Sequence, residues 1–340
     1  MRHLASIKTI RDLKPIANAD KIECAVIDGY NCVVKKGEFV VGDFCVYCEN
    51  DSILPKNNPN FAFLEGKRIK IKRLRGVYSY GIAFPLNVLP TGGTYNDGDD
   101  VAELLGVTKW EPVIFNSKQY NHTDNIVRAP YPSWIPQTDE TRFQAIIDVL
   151  KDFVGTDCIV TEKLDGASTT HWLDEDGNYH VASRNREIVD TSEVFYRGAV
   201  EANIPQLLQN LPRGTVVQGE LIGNGIAGNK YKIDGYKIYM FNLRSADTKK
   251  FVNPIESLRI MRDAGFDVVP VVHDKWRLVA DVEKLIELSI GKSKLNPQQH
   301  REGIVVRPLQ DIYVEDIGGY FVDGRLSFKV INPKFELEVK

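Results

Sequence analysis

Short runs in which apolar and polar residues alternate fill the first part of the chain. IECAVIDGY, NCVVKKGE, CVYCEN and KRIKIKRLRG each switch with a period of two, and DG, KKG, VGD and GG turns separate them. The opening MRHLASIKTIRDLKPI alternates in the same way. Several short strands at this spacing predict a small barrel or sandwich over residues 1–106.

The rhythm breaks over residues 107–137, a polar, proline-dotted stretch that reads as a linker or a segment draped over a domain. Residues 138–340 mix both periods. TDETRFQAIIDVLKDF predicts a helix, with Thr138 or Asp139 as cap and Phe143, Ile146, Ile147, Leu150 and Phe153 as its apolar stripe. PIESLRIMRDAG and LVADVEKLIELSI predict two more helices, whereas CIVTEKL, TVVQGELIG, YKIYMFNLR, EGIVVRP and LSFKVIN read as strands. STTHWLDEDGNYHVASRN reads as a hairpin turning at DEDGN, which lacks the rest of a calcium loop. The pattern is α+β, with antiparallel sheets and flanking helices.

Composition narrows the class. The net charge of −3 means that affinity for a polyanion has to come from local basic patches. No apolar run approaches the roughly 18 residues of a membrane span, and the N-terminus lacks the apolar core of a signal peptide. The five cysteines, an odd number, fit free thiols in a reducing compartment. A cytoplasmic protein without a membrane partner, and a monomer, is therefore expected. Cys45-x-x-Cys48 with Cys24 and Cys32 has the look of a zinc site, but in a strand i and i+3 point to opposite faces, so buried thiols are the expectation.

The chemistry centres on TEKLDGAS, where Lys163 stands at a strand end before a turn. K-x-D-G fixes few positions, and most lysines are solvated surface charges. Further segments follow in order: SRN with Arg184, QGELIGNGIAGNKY with Glu220 before a glycine-rich loop, YKIYMFN with Phe241, EGIVV with Glu302 and LSFKVINPKF with Lys329. Singly, each is a surface charge, a core aromatic or a turn. As an ordered set they resemble the covalent nucleotidyltransferase superfamily of RNA ligases, DNA ligases and mRNA-capping enzymes. GELIGNGIAGNKY and FKVINPKF look like the RNA ligases. A β domain ahead of the ligase domain resembles the RNA-ligase type with an N-terminal OB module. DNA ligases and capping enzymes carry theirs after the last lysine motif, and only eleven residues follow Lys329 here.

The resemblance implies an OB-like β-barrel followed by a nucleotidyltransferase (ATP-grasp-like ligase) domain. It implies an ATP-dependent RNA ligase in which AMP becomes covalently bound to Lys163, passes to an RNA 5′-phosphate, and leaves when a 3′-hydroxyl attacks, as at a nick in a duplex. It further implies that Glu220 binds the ribose, Phe241 stacks on adenine, and Arg184 holds the sugar or a phosphate. Lys329 and Arg142 would contact phosphates, Glu162 would read the adenine edge, and Asp165 with Glu302 would hold hydrated Mg²⁺, with Mn²⁺ as a substitute. An amine attacks only when neutral, so metal and cationic neighbours are expected to lower the pKa of Lys163. Two departures stand out: Phe241 is followed by Asn242 where the family often has aspartate, and Lys329 by Val330-Ile331 where a second lysine is common, leaving Lys334 as a possible substitute. In the first domain, Lys70, Lys72, Arg73 and Arg75, with Tyr78 and Tyr80, predict an RNA-contacting face. A DNA ligase, a guanylyltransferase and a non-catalytic nucleic-acid-binding protein remain the alternatives.

Overall fold

The computed structural model describes residues 3–110, 129–315 and 321–338. Part of the predicted linker, residues 111–128, lies outside them. The first domain contains β1 (Ala5–Pro15), β2 (Ile22–Ile27), β3 (Tyr30–Lys35), β4 (Phe44–Cys48), β5 (Ser52–Ile53), β6 (Lys72–Leu74), β7 (Val77–Ser79), β8 (Ile82–Pro85) and β9 (Thr108–Lys109). Five of them form an antiparallel sheet in the order β3-β2-β1-β4-β8. β1 curls this sheet. Ala5–Thr9 pair with β4, Ile10–Pro15 pair with β2, and the register slips between Ile10 and Asp12.

Alternation along β4 is strict. Cys45 and Tyr47 join one core with Ile10 and Cys32, whereas Val46 and Cys48 join another with Ile7 and Leu54. The cysteines are buried and free, and burial pushes the thiols of Cys32 and Cys45 up to about 12. These cysteines belong to no group of three or more metal-ligating side chains among the described residues. KRIKIKRLRG is only partly a strand: Lys72–Leu74 pair with β7, and Arg68 makes an isolated bridge to Ile53.

The second domain holds β10 (Thr141–Arg142), β11 (Asp157–Lys163), β12 (Ala167–Leu173), β13 (Tyr179–Ser183), β14 (Val216–Gly223), β15 (Tyr236–Arg244), β16 (Val271–Arg277), β17 (Gly303–Pro308) and β18 (Phe328–Ile331). They build two sheets, β10-β18-β17-β11-β16 and β13-β12-β14-β15. All neighbours are antiparallel except β10 and β18, a parallel pair. The first sheet packs on a core with Phe143, Leu150 and Leu285, and the second on a larger core with Phe195, Leu258 and Met261. The two foreseen helices are Pro254–Asp263 and Val282–Ser289, each with a side-chain cap: Asn253 accepts from Glu256 N, and Asp281 from Lys284 N. A helix at Val194–Glu201 and the edge strand β16 went unforeseen; VVHDKWR is mostly exposed and lacks a buried face to mark it.

The helix expected at 139–153 is different in kind. Thr141–Arg142 form β10, Phe143–Ile146 is a 3₁₀ turn, and α-helix is limited to Ile147–Leu150. Neither Thr138 nor Asp139 caps it, since Thr138 bonds Ser168 and Asp139 accepts from Lys329. The apolar stripe still reaches the core. The domains meet where the turn between β2 and β3 docks: Gly29 N donates to Gln144 O at 3.0 Å. A Cβ on Gly29 would lie 2.8 Å from Gln144 Cα, so only glycine fits there. Among the described residues, no helix is long and apolar enough to cross a membrane.

Candidate active site

Lys163 ends β11, and Leu164-Asp165-Gly166 carries the chain across to β12 in the other sheet. The lysine therefore stands at the seam between the sheets. Pairing of Lys163 with Gly303 sets Glu302 beside it, and Lys163 Nζ donates to both Glu302 oxygens at 2.7 Å. The backbone of Glu302 is fixed on both sides. Asn332 N donates to Glu302 O at 2.9 Å, and Arg301 caps the end of Val282–Ser289 by donating to the carbonyls of Leu288, Ser289 and Ile290. A Cβ on Gly303 would meet Val330 O at 2.3 Å, which explains the glycine of EGIVV. Gly166 is equally constrained, with Leu221 O 2.4 Å from the site of a Cβ, and its N–H donates to Glu220 Oε1 at 3.0 Å.

Three carboxylates converge here. Burial pulls the proton affinity of Lys163 down, but Glu302, Glu220 and Asp165 outweigh it, and its pKa stands above that of an ordinary lysine. The protein's own groups around the amine are acidic and do not supply the lowering expected of a metal ion and cationic neighbours. Burial pushes Glu220 up to about 7, against the pull of Lys163. Glu302 is likewise raised, chiefly by burial. Asp165 pairs with Lys230 at 2.5 Å, while its N–H donates to Tyr231 OH at 2.7 Å. NKY in the glycine-rich loop thus braces the turn after the nucleophile.

A cavity of about 510 Å³ opens above Lys163. Asp165, Glu220 and Glu302 line it with Arg184, Lys329 and Arg142, so most of the site residues read from the sequence come together. Lys329 donates to Asp139 at 3.3 Å. Arg142 is a buried strand residue that donates to Glu336 at 3.0 Å and lies 3.7 Å from Asp51 of the first domain. Its Nε and Nη1 have no hydrogen-bond partner among the described residues, although both are buried. Such orphaned donors at a cavity wall suit an anion. The first domain closes the opposite wall with Asp51, Arg68, Lys109 and Trp110; Arg68 pairs with Asp51 at 2.5 Å and stacks on Trp110 at 3.9 Å.

Three candidates sit elsewhere. Glu162 is buried on the other side of β11, where one oxygen accepts from Lys294 N at 2.8 Å and the other has no hydrogen-bond partner. Phe241 is the extra residue of a bulge in β15, since Gln218 pairs with Asn242 and Gly219 with Met240; its ring lies 5.8 Å from the Arg307 guanidinium, off the cavity. The apolar lining comes instead from Phe195, Ile226 and Ile331. Lys334 is also off the cavity. In the first domain, Lys72, Arg73 and Arg75 are exposed on the β6–β7 hairpin, and Lys70 is half-buried. Arg73 lies 5.4 Å over Tyr78, but Tyr80 is buried and offers no stacking face. Sequence reasoning assigned no site role to Asp139, Arg68, Trp110, Lys230 or Asn332, although Asp139, Arg68, Lys230 and Asn332 lie in segments already singled out.

Comparison with known proteins agrees with this arrangement. A family model described as an OB-fold domain matches residues 4–86, and one described as RNA ligase matches residues 156–331. No curated protein sequence matches the chain. Among solved structures, an aspartate-to-alanine variant of Naegleria gruberi RNA ligase, without ligand, superposes with a TM-score of 0.85 at 32% identity, over 99% of this chain and 98% of that one. A lysine-to-alanine variant of the same enzyme with ATP and Mn gives 0.84 at 33% identity, covering 98% of each chain. The Naegleria enzyme with PPi gives 0.84 at 34%, again over 98% of each. The similarity runs through both domains, and the chain belongs to the RNA ligase family.

Proposed function

We propose that this RNA ligase is ATP-dependent and seals 3′-hydroxyl and 5′-phosphate RNA ends through AMP carried on Lys163. The carrying observation is the placement of Lys163 Nζ at the seam of two sheets, 2.7 Å from Glu302, in a cavity walled by Arg142, Arg184 and Lys329. In the first step the Nζ lone pair forms a bond to the α-phosphorus and the bond to pyrophosphate breaks. An RNA 5′-phosphate oxygen then attacks that phosphorus, freeing the lysine. Last, a 3′-oxygen attacks the activated 5′ end and AMP leaves. Each step moves charge onto phosphate oxygens, so positioning and cations supply most of the catalysis.

The amine has to lose a proton first, and Glu302 is the group within hydrogen-bond reach. Glu220 is suited to the ribose hydroxyls, and Arg142, with two orphaned donors, to phosphate. Asp165 and Glu302 are hard oxygen donors of the number with which proteins hold Mg²⁺ when waters and substrate phosphates complete its shell. That ion, or Mn²⁺, would neutralise phosphate charge and lower the proton affinity of the lysine. The relatives solved with ATP and Mn support this reading. We keep the domain limits at 1–106 and 138–340, with β9 of the intervening segment paired to β5 of the first domain.

The test is to incubate the protein with Mg²⁺ and α-labelled ATP or GTP. ATP should leave an acid-labile label that Lys163→Ala abolishes. Label surviving that substitution, or arising from GTP alone, would falsify the reading. Nicked duplexes differing only in the sugar at the 3′ side should seal with ribose and fail with deoxyribose. The exposed Lys72, Arg73 and Arg75 of the β6–β7 hairpin are the proposed RNA contact. Lys72→Ala with Arg75→Ala should weaken nick sealing several-fold and make it more salt-sensitive, while Lys163 labelling is unchanged. Equal loss of labelling would place these residues in nucleotide chemistry instead.

A further inference from the structure

Asn242, which stands where the family often has aspartate, has a partner on each side. Arg325 Nη1 donates to Asn242 Oδ1 at 3.4 Å, and Asn242 Nδ2 donates to Gln218 Oε1 at 3.1 Å. Gln218 Nε2 then donates to Pro136 O at 2.8 Å, and Tyr131 OH donates to the same carbonyl at 3.3 Å. Both amides are buried, at 7% and 1% exposure. The chain of donors has one direction. It starts at a guanidinium that can only donate and ends on a carbonyl that can only accept.

Its end point matters because Pro136 begins a strap over both sheets. Thr138 bonds Ser168 on β12, Glu140 pairs with Arg307 on β17 at 2.5 Å, and Asp139 accepts from Lys329 on β18 at 3.3 Å. Arg142 follows in β10. The geometry points to Asn242 as a positioning residue that holds this strap, and through Asp139 holds Lys329, in the cavity wall. An aspartate at 242 would accept from Arg325 but could not donate to Gln218. The Gln218 amide would have to turn its nitrogen toward residue 242, leaving its oxygen facing the Pro136 carbonyl. Asparagine is the residue that satisfies both ends. Its carboxamide is thus engaged by protein groups and leaves metal contact to Asp165 and Glu302. The inference rests on Lys163 adenylylation as proposed above.

The experiment measures the rate of Lys163 labelling by ATP in Asn242→Asp, Asp139→Ala and the double variant, with thermal unfolding in parallel. Asn242→Asp should slow labelling about tenfold, the loss expected from one or two buried hydrogen bonds. If it acts through the strap, adding Asp139→Ala should cost far less than the product of the single losses. Gln218→Met removes the donor to Pro136 without adding charge, and should reproduce both the slowing and the shortfall in a fold that unfolds near the wild-type temperature. Losses that multiply, or a Gln218→Met protein that labels at the wild-type rate, would overturn the inference. A wild-type protein that takes no label would instead reject the adenylylation reading itself.

Discussion

Glu302→Gln is expected to slow labelling of Lys163 by ATP at least about a hundredfold, yet to make that lysine more reactive toward an acylating reagent when no nucleotide is present. Both effects follow from one contact. Lys163 Nζ lies 2.7 Å from both Glu302 oxygens in a largely buried pair, at 24% and 16% exposure. Removing one partner of such a pair costs roughly 3–5 kcal/mol in buried settings, and here it also takes away a carboxylate placed to hold the metal. The sign for the free lysine is opposite. Glu302 is the largest influence raising its pKa, and burial the one lowering it. Without the carboxylate the pKa falls, and each unit lost gives tenfold more neutral amine at a fixed pH. Mass spectrometry of acetylated peptides would read the second effect. If acylation of Lys163 fell along with adenylylation, the pair would not be what holds the amine protonated.

Glu220→Gln should abolish productive ATP binding while stabilising the folded protein above neutral pH. Burial raises the Glu220 carboxyl from the ordinary 4.5 to about 7. A carboxyl whose folded pKa is raised binds its proton more tightly in the native than in the unfolded state. The folding penalty for its charge is absent below the unfolded pKa and grows as pH rises toward 7. The ceiling of the effect is roughly 3 kcal/mol. Glutamine keeps an oxygen to accept from Gly166 N, whose bond to Glu220 is 3.0 Å. The variant's melting temperature should therefore exceed the wild type's by a few degrees at pH 8 and match it near pH 4. An equal advantage at both values would show that charge is not the cause.

The residues legible in the sequence are those whose role is local. Strand alternation gave β11, β14, β15 and β17 nearly to the residue, and with them Lys163 at the end of β11 and Glu302 just before β17, whereas Glu220, read as a strand end, lies within β14. Residues governed by long-range pairing were not legible. TDETRF has helical spacing, yet Thr141 and Arg142 extend because β18 offers them a parallel edge far away in sequence. Phe241 was read from strand position, but the bulge beside Gly219 sets it off the cavity. The raised proton affinity of Lys163 arises from Glu220 and Glu302, brought to it from other strands, which no window around TEKLDGAS contains. Arg68 and Trp110 reach the cavity only through the docking of the two domains.

That docking bears on how the molecule comes into being. Arg142 is buried among Asp51, supplied by the first domain, and Glu336, near the end of the chain. Gly29 meanwhile has its tip against Gln144, with no room for one more carbon. A ribosome releases the acid at 51 long before the arginine, and the arginine long before the acid at 336. The cavity is therefore finished only when the helix Pro333–Glu338 folds back to meet the first domain. Exchanging the leading module for one without an acid at this place would take from a buried cation one of its two carboxylate partners, which favours inheriting the two halves together.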